Sequence, residues 1–287
     1  MTFFCLQPDK EDGRQKGDKE MEKKTAVGCI GCGNMGGAIL AGLAGKGQYA
    51  LYGSNRTMSR LEPLTKLGVT ACKDADDLVS RCEYIILAVK PYQIKDVVKS
   101  IDKDLLKDKV LVSLAAGVSM DTVSRACKKA CPVARCMPNT PAMVGEGVFS
   151  LCFEDKVSDR QKEEIVKIFS DLGMALPMPE EKFTAFSALI GAGPAYVFEL
   201  MQGLVMAGVT LGFSHADSRS MVEALFLGCA KMAQMNKGTH LTALRDNVCS
   251  PAGLTIAGVN RMCSDGLAGK LGDAVMAAMQ RGREMEG

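Results

Sequence analysis

The feature that most constrains this chain is the run Ala26-Val27-Gly28-Cys29-Ile30 followed at once by Gly31-Cys32-Gly33-Asn34-Met35-Gly36. The first five residues read as a buried strand. The next six fit G-x-G-x-x-G, and a helical pattern runs on from Asn34 to about Gly45. The glycine pattern alone is weak, but a preceding strand and a following helix are the context it needs. Glycines there permit a tight turn and a close approach of backbone to a pyrophosphate, while the helix start offers N–H donors and a positive dipole end. Gly31, Gly33 and Gly36 are therefore expected to floor a dinucleotide site. The competing reading is a glycine-rich strand–helix turn with no ligand.

The second strand ends in Gly53-Ser54-Asn55-Arg56-Thr57. An NAD site usually carries an acid here, about twenty residues past the loop, for the ribose hydroxyl. This chain has none. Arg56 instead offers a planar fork of donors suited to phosphate, with Ser54, Asn55 and Thr57 beside it. A carboxylate would repel the extra phosphate of NADP, so NADP is expected over NAD. The alternative for Arg56 is a solvated residue at a strand end. Ala88-Val89-Lys90-Pro91, Leu114-Ala115-Ala116-Gly117 and Met137-Pro138-Asn139-Thr140-Pro141 also fall at strand ends, where ligands bind in such sheets. The small residues leave room for a ribose and nicotinamide. The two prolines stiffen the backbone beside them. Lys90 is equally readable as a solvated lysine.

From Thr25 to about Pro179, apolar runs alternate with amphipathic stretches. Tyr49–Ser54, Tyr84–Val89, Lys109–Ala115 and Val133–Met137 read as strands, and Met58–Leu67 as a helix. Such alternation predicts a mostly parallel sheet with helices on both faces. Beyond about Glu180 the spacing turns helical, from Phe183 through Leu211 and from Ala216 to Met235, with Ser214 able to cap the second helix. The expected fold is an α/β Rossmann-like domain over 25–179 followed by an all-α domain over 180–287. The second half holds so much apolar surface that a partner subunit is expected to cover part of it.

Residues 1–24 are mostly charged, Gly or Gln after a short apolar opening, and read as a disordered extension in which Met21 is an alternative start. The opening is too short for a signal-peptide core. No uninterrupted apolar run reaches the roughly 18 residues of a membrane span. The net charge is +2 and tryptophan is absent, which argues against nucleic acid. A cytoplasmic protein with its twelve cysteines reduced is expected. Cys29 and Cys32 have C-x-x-C spacing but lack a second pair or a nearby histidine, so no metal site is expected.

A second constellation interrupts the helical half: Asp246-Asn247-Val248-Cys249-Ser250-Pro251-Ala252-Gly253-Leu254-Thr255. Pro251 and Gly253 set a turn, and a helix starts near Leu254. Its free N–H groups, with the hydroxyls of Ser250 and Thr255, suit a carboxylate. The competing reading is an ordinary capped helix. Gly191-Ala192-Gly193-Pro194-Ala195-Tyr196 reads as a kink or junction in the first long helix.

Taken together, these stretches resemble the pyrroline-5-carboxylate reductase family. The likeness runs from about Thr25 to the C-terminus. It rests on Ile30–Met35, Leu87–Pro91, Met137–Pro141, Gly193–Phe198 and Asn247–Thr255, in that order. It implies a homodimer of interlocked helical domains, often assembled further into decamers, with the small-molecule substrate 1-pyrroline-5-carboxylate bound between subunits. It implies cofactor contacts from Asn34, Met35, Asn55, Val89, Lys90, Ala116 and Asn247. It also implies a substrate pocket of Glu180, Ser250, Gly253, Leu254 and Thr255, with Thr255 nearest the imine. Ile190-Gly191-Ala192-Gly193-Pro194 and Pro251-Ala252-Gly253-Leu254-Thr255 depart from the family's usual wording. Ala75 stands where an asparagine often touches the ribose.

The activity so implied is reduction of a cyclic imine, with alignment and carboxylate anchoring as the protein's main contribution. A threonine hydroxyl is a weak acid, so Thr255 would share the proton with water or act on an already protonated ring. Two rivals are a hydroxyacid dehydrogenase, whose catalytic lysine is missing near Gly191–Tyr196, and a catalytically silent NADPH-binding regulator.

Overall fold

The computed structural model describes residues 24–286. The expected disorder of residues 1–24 and the alternative start at Met21 lie, but for Lys24, outside them. The chain begins with β1 (Thr25–Ile30), α1 (Asn34–Ala44) and β2 (Tyr49–Ser54). A 3-10 turn (Met58–Arg60) and the one-turn α2 (Glu62–Thr65) replace the single helix expected over Met58–Leu67. Pro63 accounts for the break, because proline fits a first helical turn but not a helix interior. Then come β3 (Thr70–Ala71), α3 (Ala75–Arg81), β4 (Tyr84–Leu87), α4 (Ile94–Ser100), β5 (Val110–Ser113), α5 (Met120–Ala126) and β6 (Val133–Met137). The strands expected over Tyr84–Val89 and Lys109–Ala115 are shorter than their apolar runs. Their last residues, Ala88-Val89 and Leu114-Ala115, leave the ladder and line a cavity.

Strand order is β3-β2-β1-β4-β5-β6, all parallel. Two strands not foreseen, β7 (Gly147–Phe153) and β8 (Gly173–Pro177), extend that sheet to eight, with α6 (Asp159–Ser170) between them. β7 runs antiparallel to β6, and β8 parallel to β7. The sheet is buried on both faces, as an apolar strand without alternation requires. In β4, Tyr84 and Ile86 pack with Ile39, Leu40 and Leu43 of α1 and Ile165 and Phe169 of α6. Ile85 and Leu87 point the other way, among Leu78 and Val79 of α3, Val98 of α4 and Val123 of α5.

From Glu180 onward every element is helical. A 3-10 turn (Glu180–Lys182), α7 (Phe183–Phe186) and a π-turn (Ser187–Gly191) lead into α8 (Gly193–Thr210). Pro194 sits in the first turn of α8, so the expected junction at Gly191–Tyr196 is a π-turn abutting a proline-started helix. α9 (His215–Met235) is capped by Ser214, whose oxygen accepts the Asp217 N–H. α10 (Leu241–Asp246), α11 (Leu254–Ser264) and α12 (Leu267–Glu286) complete the chain.

This half lacks a core of its own. Past Ala188, the buried apolar side chains among the described residues are Val205 and Val222 alone. Phe198, Leu225, Leu227 and Met235 are open to solvent. Glu180–Thr210 forms one 31-residue helical stretch, long and apolar enough by length and composition to cross a membrane. No uninterrupted run signalled this, because small and hydroxyl residues dilute the apolar ones without adding charge.

Candidate active site

Between β1 and β4 the chain reverses its direction of travel across the sheet. A ligand-sized crevice forms at such a switch point, outside the strands' C-terminal ends. A cavity of about 820 Å³ opens there. Gly31, Gly33, Asn34 and Met35 from the β1–α1 loop line it, with Ser54, Asn55 and Arg56 from the end of β2. Ala88, Val89 and Lys90 after β4 and Ala115 and Ala116 after β5 line it as well, whereas the expected Gly36 is buried off the wall.

The loop fits a phosphate group on steric grounds. Gly31 has φ +97°, and a Cβ there would meet Val89 Cγ1 at 2.7 Å and the Ala88 carbonyl carbon at 2.9 Å. A Cβ on Gly36 would land 2.4 Å from the Gly31 carbonyl oxygen, so α1 can approach the loop only without a side chain. Gly33 differs: the nearest atom to its missing Cβ is Arg60 Nη1 at 4.0 Å. The space above Gly33 is open and faces a guanidinium. Gly33 is also the N-cap of α1, and no side chain caps that end. A ligand can therefore take the first-turn N–H groups.

Electrostatics point the same way. Arg56, Arg60 and Lys90 line the cavity, and among the described residues no aspartate or glutamate does. Asn55 Nδ2 donates to the Thr57 carbonyl at 2.9 Å and stiffens the turn that carries the two arginines. Cys29 and Cys32 lie beneath the loop, both buried. Cys32 Sγ donates to the carbonyls of Cys29 and Ser54 at 3.4 and 3.7 Å. The Cys29–Cys32 contact and burial push the Cys29 thiol up, and the same contact lowers Cys32. The pair packs the strand against its loop, and among the described residues no cluster of ligands suits a metal.

Sequence reasoning missed Arg60, Gln93 and Val97 on the cavity wall. Arg60 carried a usable signal, since it is the next cation after Arg56 and only four residues on. Gln93 shows its role only in three dimensions, where its Oε1 accepts the Lys90 N–H at 3.2 Å and fixes the turn after β4.

Other expected residues lie elsewhere in the single chain. Asn139 is buried away from the cavity. Its Oδ1 accepts the Val148 N–H at 2.9 Å, and its Nδ2 reaches the Ile190 carbonyl at 3.4 Å, tying β7 to the helical half. Glu180 Oε1 is held by Arg135 Nη1 and the Met120 N–H at 2.9 and 2.8 Å. Asn247, Ser250, Leu254 and Thr255 are exposed. α11 begins at Leu254 with Gly253 as N-cap and no capping side chain. The free N–H groups read from the sequence are thus present, and an ordinary side-chain cap is not. A Cβ on Gly253 would fall 2.2 Å from Ser250 Oγ, so the turn brings that hydroxyl onto the helix start.

Residues 180–285 match the profile for pyrroline-5-carboxylate reductase dimerisation, and residues 26–117 that for NADP oxidoreductase, coenzyme F420-dependent. The exposed apolar stretch from Glu180 thus falls wholly in a dimerisation region. The pyrroline-5-carboxylate reductase of Escherichia coli (strain K12) is 33% identical, covering 92% of this chain and 99% of that one. That of Pisum sativum is 32% identical over 90% and 95%. A pyrroline-5-carboxylate reductase structure from Coxiella burnetii superposes with TM-score 0.86 at 31% identity, covering 92% of this chain and all of the other. A Plasmodium falciparum pyrroline carboxylate reductase with NADP bound superposes at 0.82 with 27% identity, over 93% and 100%. With its glycine-floored cavity, its helical half and relatives matched along almost their whole length, the chain belongs to the pyrroline-5-carboxylate reductase family.

Proposed function

We propose that this chain reduces 1-pyrroline-5-carboxylate to L-proline with NADPH, the last step of proline biosynthesis. The observation that carries the reading is a dinucleotide-sized cavity with three cationic side chains and no acid, in a chain of this family. Gly31, Gly33, Asn34 and Met35 would receive the pyrophosphate, and Gly36 would let α1 start close enough for that. Ser54, Asn55 and Arg56 would receive the adenosine end, and Val89, Lys90, Ala115 and Ala116 the nicotinamide end. Bound there, the reduced cofactor supplies the hydride that the imine carbon accepts. The absence of an acid beside Arg56 supports NADPH over NADH, since an added phosphate meets only cations.

The substrate carboxylate would sit at the uncapped start of α11, on Ser250 Oγ and the N–H groups of Leu254 and Thr255. The Thr255 hydroxyl would hydrogen-bond the ring nitrogen and hold its proton in place. In one chain these groups are exposed and outside the cavity. A second subunit would bring them to it, a reading that the apolar helical half supports. Glu180, fixed by Arg135, would border the same pocket, and Asn247 would reach the cofactor. Asn139 acts through the backbone it ties rather than by contact. We take residues 25–179 as the cofactor unit and 180–287 as the dimerisation and substrate unit. Our reading is a cytoplasmic homodimer that assembles into a decamer of five dimers.

The test mixes purified protein with NADPH and 1-pyrroline-5-carboxylate, follows cofactor absorbance, and identifies the product. Proline formation, faster with NADPH than with NADH, is expected. Cofactor binding without oxidation would leave a silent regulator instead. Thr255→Ala is expected to lower kcat well beyond any change in the dissociation constant of NADPH; an unchanged kcat removes Thr255 from the chemistry.

A further inference from the structure

Arg60 is the cation on the cavity wall that the adenosine end does not account for. It lies at the end of the 3-10 turn Met58–Arg60, and its backbone N–H donates to the Thr57 carbonyl at 3.1 Å. Its side chain reaches over the glycine loop, with Nη1 4.0 Å from the site of a Gly33 Cβ. Gly33 is the second glycine of the loop, the point at which backbone comes nearest a pyrophosphate. No carboxylate pairs with either arginine among the described residues. An exposed guanidinium aimed at a bare glycine over an acid-free cavity has phosphate as its fitting partner.

We propose that Arg60 clamps the pyrophosphate against the Gly33 backbone from the β2 side, while Arg56 reads the 2′-phosphate. The inference rests on the NADP reading above. It gives the two arginines separate roles, in which Arg60 serves any dinucleotide and Arg56 separates NADPH from NADH. One face of the pyrophosphate would meet the N–H groups opening α1 and the other the Arg60 fork. Asn55, through its bond to Thr57, holds the turn that aims both side chains.

Calorimetric titration with NADPH and with NADH, on the assembled wild-type protein and on Arg60→Ala and Arg56→Ala, tests this. Arg60→Ala is expected to weaken both ligands by the same factor, about tenfold for one charge-assisted contact. Arg60→Lys is expected to recover part of that loss. Arg56→Ala is expected to weaken NADPH alone. Both side chains are exposed, so thermal melts without ligand should coincide with wild type. An Arg60→Ala protein that binds both dinucleotides as wild type does, or that loses only NADPH, overturns the separation of roles and leaves the NADP reading intact. Wild type that binds neither dinucleotide overturns both.

Discussion

Arg135 Nη1 lies 2.9 Å from Glu180 Oε1, and the same carboxylate oxygen accepts the backbone N–H of Met120 at 2.8 Å. One acid thus caps α5, neutralises a cation inside the sheet, and starts the helical half. The Arg135 side chain is 5% exposed and that of Glu180 29%. Arg135 also stacks over the Phe183 ring at 4.9 Å, while its Nε has no partner. The pair bolts β6 to the first turn after β8, so it governs how the two halves sit together.

The asymmetry in burial gives the first prediction. Glu180→Ala strands a buried guanidinium and is expected to cost about 3 kcal/mol in urea unfolding. Arg135→Met leaves a carboxylate that water can reach and that still receives the Met120 N–H. It fills much of the same volume and is expected to cost about 1 kcal/mol. Equal losses, or the reverse order, would show that the helical junction rather than the buried charge sets the energetics.

The loop glycines separate folding from binding. At Gly36 a Cβ meets the Gly31 carbonyl oxygen at 2.4 Å and Cys29 Sγ at 2.8 Å, and backbone cannot step aside. Gly36→Ala is expected to lower stability by about 2 kcal/mol, in the range for overpacking. Gly33 has φ −81° and open space, so alanine folds there without strain. The methyl group would instead occupy the phosphate's place. Gly33→Ala is expected to melt as wild type does while losing at least about tenfold in NADPH affinity. A Gly33→Ala protein that binds NADPH normally would mean that no phosphate rests on that residue.

The sheet and its glycine loop were legible because local pattern and tertiary position coincide there. β1, β2 and β6 are apolar runs that must be buried, and the G-x-G-x-x-G turn has few other uses. β7 and β8 escaped notice. β7 mixes Gly147 and Ser150 into its apolar run, and β8 is half exposed at the sheet edge, so neither reads as a buried strand. Glu180 and Asn139 illustrate a further limit. Their bonds reach across 45, 60 and 51 residues, to Arg135, Met120 and Ile190, and spacing along the chain carries no record of such contacts. Arg60 was within reach as the next cation after Arg56. That it points at Gly33 follows only from the 3-10 turn imposed ahead of Pro63. The proposed substrate residues came from family likeness, and Ser250, Leu254 and Thr255 lie in the open in one chain.

The buried thiols predict an alkaline limit to stability. Burial, the largest cause, pushes Cys72 up to about 11 and Cys152 up to about 12, and drives Cys136 and Cys82 upward as well. A thiol whose folded value is raised contributes stability that is whole below its unfolded value near 8.5. That contribution fades as pH climbs toward the folded value, because only the unfolded chain then sheds the proton. The urea midpoint is therefore expected to fall steadily from about pH 8.5 up to pH 11. Cys72→Ala should flatten the fall, though at the cost of a small cavity. A midpoint that stays level through pH 10.5 would show these thiols reaching solvent in the native state.

The last prediction concerns the face that no core covers. Phe198 on α8 is 65% exposed and Leu225 on α9 is 54% exposed, on helices that pack against one another and belong to the matched dimerisation region. A helix pair this apolar stays in water only when a second subunit takes it up. A carboxylate placed there must be desolvated on association, which costs several kcal/mol unless it finds a partner. Phe198→Glu with Leu225→Glu is expected to drop the sedimenting species to the monomer. The cavity walls belong to the other half of the chain, so the double variant is expected to keep most of its NADPH affinity while losing imine reduction. Loss of turnover with retained cofactor binding is the signature of a site that two subunits share. A double variant that sediments as wild type does would place the subunit contact elsewhere, and a monomer with full activity would mean that Ser250 and Thr255 reach the cavity within their own chain.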